Sequence, residues 1–222
     1  MKTELSRPYL SIEHNGNPSY GGSQSWFQGM IRICGCSVTG AADLLWYLNK
    51  GPSMTEEQYK RYVGILRRSF FLIPFRGIPG TVMAALLNRY MKKHGMPYRA
   101  HWGAGHGGII KRIRAMIRED IPVPLCVGPC IHQFFNQPLY RGLKLYKKAR
   151  NTAGESYVWT STVKNHFMVI TGLEGRYARL ASLGEEYYIE LEELRKLSVM
   201  DAAGLYTNII RIMPLSRRRE GR

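Results

Sequence analysis

The chain has 222 residues, of which 45% are hydrophobic and 11% aromatic, enough to bury one substantial core or two lobes that share an interface. Its 32 basic and 16 acidic residues give a net charge of +16, so non-specific binding of a polyanion is possible, although solvated surface charge is the commoner reason for such a balance. No apolar run approaches the ~20 residues of a membrane span, and the charged N-terminus has no apolar stretch typical of a secretory signal. These features predict a cytoplasmic globular protein without a membrane span.

The predicted helices lie in the first 120 residues. Residues 1–35 are rich in Gly, Ser, Asn and Pro and predict an extended lead-in with turns, with regular structure starting only after Cys36. Thr55 precedes Glu-Glu-Gln, which predicts a helix start because the hydroxyl can accept from unpaired amides of the first turn. Helices are expected over residues 38–49, 55–71, 81–94 and 108–119.

From residue 121 the pattern changes to short apolar runs bounded by Gly or Pro, which predict strands. Strands are expected over residues 122–127, 166–170, 177–181, 186–189 and 208–213, with a short helix over 190–197. Helices followed by strands indicate an α+β fold with segregated layers. We expect one domain over residues 1–222, composed of a lead-in (1–35), a helical lobe (36–120), a β-rich lobe (121–215) and a basic tail (216–222).

The cysteines predict free thiols rather than disulfides, because four of them in a chain of this length make no disulfide framework. Cys36 follows Gly35 and opens a predicted helix, where unpaired amides and the helix dipole lower the pKa of a thiol. Cys34 is the weaker candidate for a reactive thiol. Cys126 and Cys130 are expected to be structural.

A histidine provides the second half of a possible catalytic pair. His166 opens an apolar strand far downstream of Cys36, and a helix-start cysteine followed about 130 residues later by a histidine is the arrangement of papain-type enzymes. Alone, each residue is more often structural. Together they favour nucleophilic catalysis by a thiol that the imidazole deprotonates.

Five sequence blocks, in this order, carry a resemblance to a known family. They are Gly21–Phe27 (GGSQSWF), Gly35-Cys36 with Ala41–Leu45 (AADLL), Ile121-Pro-Val with Gly128-Pro, Asn165–Leu173 (NHFMVITGL) and Ala181–Ile189 (ASLGEEYYI). Together they resemble the bacterial papain-like cysteine peptidases related to the leader-peptide peptidase domains of some ABC transporters. The resemblance implies a papain-like fold, in which an N-terminal helical lobe precedes an antiparallel β-sheet lobe, and a peptide or protein substrate without a cofactor.

The resemblance also implies roles for individual residues. Cys36 would be the nucleophile and His166 the base, and a glutamine before the cysteine would help to hold the oxyanion. Gln24 and Gln28 both qualify, and Gln24 lies in the block that resembles the family.

The third catalytic position departs from the family pattern. Papain-like enzymes often carry Asn-Ser-Trp-Gly where this chain has Ala181-Ser182-Leu183-Gly184. Alanine cannot accept a hydrogen bond from imidazole, so Ser182, a backbone carbonyl or water would have to orient His166. The difference allows a slow peptidase, in which an asparagine at residue 181 would raise the activity, or an inactive relative.

Two other classes of function fit the same residues. A metal site could combine Cys34 and Cys36 with the other cysteines or with histidines, but the Cys-x-Cys and Cys-x-x-x-Cys spacings differ from those of structural zinc sites. A binding module could have kept a papain-like fold without catalysis and could bind peptides or polyanions. The sequence leaves the oligomeric state open.

Overall fold

A computed structural model describes residues 2–74, 77–103, 108–128, 142–151, 154–201 and 203–215. The helices are α1 (Gly29–Cys34), α2 (Cys36–Leu48), α3 (Glu56–Leu66), α4 (Gly80–Lys93), α5 (Ile109–Arg118) and α6 (Leu191–Met200). The strands are β1 (Lys2–Glu4), β2 (Ile12–His14), β3 (Asn17–Pro18), β4 (Met54–Thr55), β5 (Tyr98–Trp102), β6 (Val123–Val127), β7 (Leu143–Asn151), β8 (Gly154–Val163), β9 (His166–Glu174), β10 (Tyr177–Ser182), β11 (Glu185–Glu190) and β12 (Asn208–Pro214).

An antiparallel sheet forms the β-rich part of the described chain. Its strand order is β5-β12-β6-β9-β10-β11-β7-β8, and β1 also pairs with β9. A second, small sheet joins β2 with β3 and β4. Strand β9 is therefore bordered by β6, β10 and β1, and its interior residues are buried.

Helix α2 lies directly on this central strand. Eleven of its thirteen residues are buried, so it is an interior helix and not an amphipathic surface helix. A Cβ added at Gly40 would lie 2.5 Å from the ring of Phe167, which explains why a glycine stands where α2 crosses β9. Buried side chains of the helices and of the sheet form one hydrophobic cluster.

The four helices expected in the first 120 residues are present as α2 to α5. The predicted capping of α3 is confirmed, because Thr55 Oγ accepts from the Gln58 amide and Gln58 Oε1 accepts from the Thr55 amide. The chain also forms the five strands and the short helix predicted after residue 121, as β6, β9, β10, β11, β12 and α6.

The prediction that regular structure starts only after Cys36 is wrong. The lead-in contains α1, a 3-10 turn over Gln24–Trp26 and three short strands, and its apolar side chains, such as Ile12 and Ile31, reach the core through tertiary contacts. The β7–β8 hairpin and β5 were also missed, because the hairpin strands carry polar and charged residues without a continuous apolar face. The basic tail lies outside the described residues.

Candidate active site

Cys36 is the first residue of α2 and is half-buried. The preceding residue, Gly35, lies so close to the backbone of α1 that a Cβ there would be 2.4 Å from the carbonyl oxygen of Ile31. Burial raises the pKa of the Cys36 thiol, and the backbone amides of Phe167 and Ser37 oppose that effect. The expectation that the helix start lowers the pKa of Cys36 is therefore wrong, because desolvation raises this pKa more than the amides lower it.

The neighbouring thiols differ from Cys36 in exposure. Cys34 is buried, and its Sγ donates to the carbonyl oxygen of Met30 at 3.3 Å. Cys126 is buried in β6, as predicted, and desolvation holds the pKa of its thiol far above the usual range. Cys34, Cys36 and Cys126 are free thiols, whereas Cys130 lies outside the described residues.

His166 is the first residue of β9 and pairs with Val127 of β6. Its Nε2 lies 2.9 Å from Ser182 Oγ at the end of β10. Burial lowers the pKa of His166 to about 4, so the imidazole is neutral at pH 7. The residue before it, Asn165, adopts a left-handed conformation (φ 50°), and its amide donates to the carbonyl oxygen of Gly128 at 3.0 Å.

Ser182, and not residue 181, is the position that can orient this imidazole. Ala181 is buried, and its Cβ would lie 3.2 Å from a Cβ at Gly21. Successive side chains of a strand point to opposite faces, so Ala181 faces Gly21 while Ser182 faces His166. An asparagine at 181 would therefore point away from the histidine, which contradicts the expectation that this substitution would restore a missing orienting group.

The packing of α2 on β9 brings the two halves of the predicted pair to one place. The backbone amide of Phe167, the residue after His166, is in hydrogen-bonding reach of the Cys36 sulfur. The Phe167 ring packs against α2 at Gly40, about one turn after Cys36. The helix start and the strand start are therefore neighbours.

The two candidate glutamines lie next to α1. Gln24 is half-buried, and its Nε2 donates to the carbonyl oxygen of Arg32 at 3.0 Å, while its Oε1 is buried without a partner among the described residues. Gln28 is exposed at the start of α1 and makes no capping hydrogen bond with its side chain. To serve an oxyanion, the Gln24 amide would have to leave the Arg32 carbonyl.

Trp26 is a residue of the site region that the sequence did not point to. A Cβ at Gly184 would lie 2.9 Å from the Trp26 indole, and the amide of Tyr20 donates to the Gly184 carbonyl oxygen at 2.8 Å. These contacts fix the lead-in against the turn that follows Ser182. The turn requires glycine at residue 184, where φ is 81°.

Asp43 is a second residue missed from the sequence. It is buried on α2, and its two carboxylate oxygens accept from the Gly22 amide at 2.9 Å and from the Tyr59 hydroxyl at 2.7 Å. Burial raises its pKa to about 6, and these two hydrogen bonds moderate the rise. A lone acid within the apolar run Ala41–Leu45 was the available signal, because a buried carboxylate needs donors.

A cavity of about 720 Å³ opens beside Cys36. The described residues that line it are uncharged: Ile33, Cys34, Cys36, Gly77, Pro79, Gly80, Thr81, Cys126, Val127, Gly128, Asn165, Leu205 and Tyr206. A larger cavity of about 840 Å³ is lined mainly by the lead-in, together with residues of β7, β10 and β11, and contains none of the candidate catalytic residues. Of these two cavities, the smaller is the better candidate for a substrate cleft, because the candidate nucleophile Cys36 is among its described lining residues.

Within the described ranges, no three His, Cys, Asp or Glu side chains form a metal-binding group. In the same ranges, none of the helices has the length and apolar character of a bilayer-spanning segment.

Comparisons with known proteins concern the fold. Neither a protein-family model nor a curated protein matches this chain. One solved structure does, a "putative C39-like peptidase" from Bacillus anthracis, with a TM-score of 0.50, 12% identity, and coverage of 95% of this chain and 97% of that chain. This chain has an α+β, papain-like fold. The similarity extends over nearly the full length of both proteins and therefore includes the helical part and the sheet.

Proposed function

We propose that the protein is a cysteine peptidase that uses Cys36 as nucleophile and His166 as general base. The observation that carries the proposal is the His166–Ser182 hydrogen bond at the start of β9, the strand on which the Cys36 helix packs. A protonated Nε2 that donates to Ser182 Oγ leaves the lone pair on Nδ1, which can accept the thiol proton. The papain-like fold shared with the Bacillus anthracis protein supports the same chemistry.

The reaction would follow the usual course of thiol catalysis. The Cys36 sulfur attacks the carbonyl carbon while His166 takes the thiol proton, and the C–N bond breaks as His166 returns that proton to the leaving amine. Water then hydrolyses the thioester. The oxyanion would be held by the amide of Cys36 at the start of α2 and by Gln24 once its side chain has left the Arg32 carbonyl.

A neutral thiol and a neutral imidazole make the general base essential. Because burial raises the pKa of Cys36 and lowers that of His166, few molecules hold a thiolate–imidazolium pair at pH 7. Proton transfer must then accompany attack on the carbonyl. This same electrostatic state supports the second candidate, a weakly active or inactive papain-like module that binds peptides in the cleft.

Hydrolysis of a denatured protein mixture, with products identified by mass spectrometry, tests the proposal. The parent and Cys34→Ala should produce new peptides, whereas Cys36→Ala and His166→Ala should produce none. Cys126→Ala should keep the activity at a cost of about 1 kcal/mol in unfolding free energy, since Cys126 is a small buried side chain. Cleavage that survives Cys36→Ala contradicts the proposal, and folded parent protein that cleaves nothing but binds peptides supports the binding module.

A further inference from the structure

Exposed apolar and basic side chains occur together beside the cleft, and we call this surface the apolar-basic rim. It comprises Ile33 at the end of α1, Ile65, Arg67 and Arg68 at the end of α3, and Phe71 and Ile73 in the segment that follows. Ile33, Ile65 and Phe71 are 56%, 55% and 58% exposed. Large apolar side chains exposed to this degree in one region are a common mark of a binding surface.

The rim reaches the cleft at Ile33. Cys34 Sγ donates to the carbonyl oxygen of Ile73 at 3.9 Å, which joins the end of α1 to the segment after α3. Ile73 also pairs through its backbone with Gly77, and Gly77 and Ile33 line the cavity beside Cys36.

Additional cations extend the rim onto α4. Phe70 and Tyr90 are in ring contact at 5.7 Å, so the end of α3 lies against α4, where Arg89, Lys92 and Lys93 are exposed. Within the described residues, Lys60 pairs with Glu56 on α3, whereas the rim arginines and the three α4 cations form no ion pair.

On the sheet, by contrast, basic side chains form ion pairs with acidic ones. Lys147 lies 2.6 Å from Glu185, Lys148 lies 2.9 Å from Glu174, and Arg179 lies 3.0 Å from Glu4. Among the described residues, the basic side chains of the sheet are therefore largely paired with neighbouring acids, whereas those of the rim and of α4 are not.

We infer that the apolar-basic rim docks on the surface of an anionic phospholipid membrane. Unpaired arginines and lysines attract the negative headgroups, and the projecting Ile65 and Phe71 can enter the boundary between headgroups and acyl chains. The phosphates of a duplex nucleic acid would also bind these cations, but a duplex offers no apolar environment for the exposed Ile65 and Phe71 side chains. The surface would hold the cleft beside the membrane, and this inference does not depend on Cys36 being catalytic.

Co-sedimentation with lipid vesicles tests the inference. The full chain should bind phosphatidylcholine vesicles that contain about 30% phosphatidylserine and should not bind phosphatidylcholine alone. Arg67→Gln with Arg68→Gln should weaken binding on the order of twentyfold, because each juxtamembrane cation contributes about fivefold. The matched control is Arg150→Gln with Arg176→Gln, which removes the same charge from exposed sheet positions and should leave binding within about twofold of the parent.

Insertion of the apolar side chains is tested separately. The emission of a Phe71→Trp variant should shift to shorter wavelength on anionic vesicles, and Ile65→Ser with Phe71→Ser should lose the binding that remains at high salt. Cys36→Ala should bind as the parent does. Absence of vesicle binding, an equal loss in the Arg150/Arg176 control, an unshifted emission of the Phe71→Trp variant, or preference for a duplex oligonucleotide over the vesicles would each overturn the inference.

Discussion

The two halves of the candidate site are held in place by different means. On the side of Cys36, the middle of α2 carries a buried carboxylate, Asp43, which accepts from Gly22 of the lead-in and from Tyr59 of α3. On the side of His166, neighbouring strands set the position, and the imidazole is within hydrogen-bond distance of Ser182 on the adjacent strand β10. The Cys36 half thus depends on tertiary hydrogen bonds between distant residues, whereas the His166 half depends on strand register, which a single side-chain change disturbs much less.

Removing the Asp43 carboxylate should produce the largest change in stability. Asp43→Ala leaves the Gly22 amide buried without an acceptor and leaves the Tyr59 hydroxyl with only the Thr39 carbonyl oxygen at 3.1 Å, and we expect a loss of about 3 kcal/mol in unfolding free energy. Asp120 is a matched control, because it also accepts from a tyrosine hydroxyl and a backbone amide but is half-exposed. Asp120→Ala should cost about 1 to 2 kcal/mol in urea unfolding, part of it because residue 120 has a left-handed backbone (φ 59°) that alanine tolerates less well than aspartate. Equal losses would mean that burial does not distinguish the two carboxylates.

The two halves should also respond oppositely to pH. His166 has a folded pKa of about 4, below its ordinary 6.5, so the unfolded chain binds more protons and stability falls as pH drops through this window. Asp43 has a folded pKa of about 6, above its ordinary 3.8, so the folded protein binds more protons and stability falls as pH rises through that window. Each effect amounts to about 3 kcal/mol, and in the parent they largely cancel between pH 4 and 6.

Single variants separate these opposing effects. The unfolding free energy of His166→Asn should decrease from pH 4 to pH 6, because only the Asp43 contribution remains. That of Asp43→Asn should increase over the same interval. Parallel curves for the two variants in urea unfolding would show that these groups do not carry the assigned shifts.

Ser182→Ala should reduce activity with little effect on stability. Loss of the orienting group of a triad can cost up to ~10⁴ in rate, and we expect on the order of 10²-fold here because strand register still places the ring. Ser182→Thr keeps the hydroxyl and should retain most of the activity. Ala181→Asn should not raise it, since that side chain faces Gly21. Unchanged turnover of Ser182→Ala would assign the orientation of His166 to another group.

Gly184→Ala should destabilise the turn that follows Ser182 by less than Asp43→Ala destabilises the helical side. The residue has φ 81° and its new Cβ would lie 2.9 Å from Trp26, so we expect a loss of about 2 kcal/mol. Gly175 also has a positive φ (59°) but has no atom within 4 Å of an added Cβ, so Gly175→Ala should cost about 1 kcal/mol. If Gly184→Ala and Gly175→Ala lower the unfolding temperature by the same amount, the clash with Trp26 contributes nothing to the loss of stability.

The sequence predicted those features that depend on local patterns. The Thr55 cap, the apolar strand after His166 and the start of α2 at Cys36 follow from neighbouring residues, and the structure contains all three. The order of helices and strands was enough to predict the α+β class.

Features that depend on tertiary contacts could not be predicted in the same way. The pKa of Cys36 is set by desolvation under the packed sheet, which a helix-start argument does not include. The choice between Ala181 and Ser182 required the register of β10 against β9, and the role of Trp26 required its contact with Gly184. Helix α1 is only six residues long, too short for a periodic signal.

The most direct test of the account is the rate at which an epoxysuccinyl peptide modifies Cys36, followed by intact-protein and peptide mass spectrometry. We expect the parent to be labelled at Cys36 and not at Cys34 or Cys126, and His166→Ala to slow this labelling by on the order of 10²-fold at pH 7. Equal labelling rates for the parent and His166→Ala, or a label carried by another cysteine, would contradict the assignment of Cys36 and His166 as a catalytic pair.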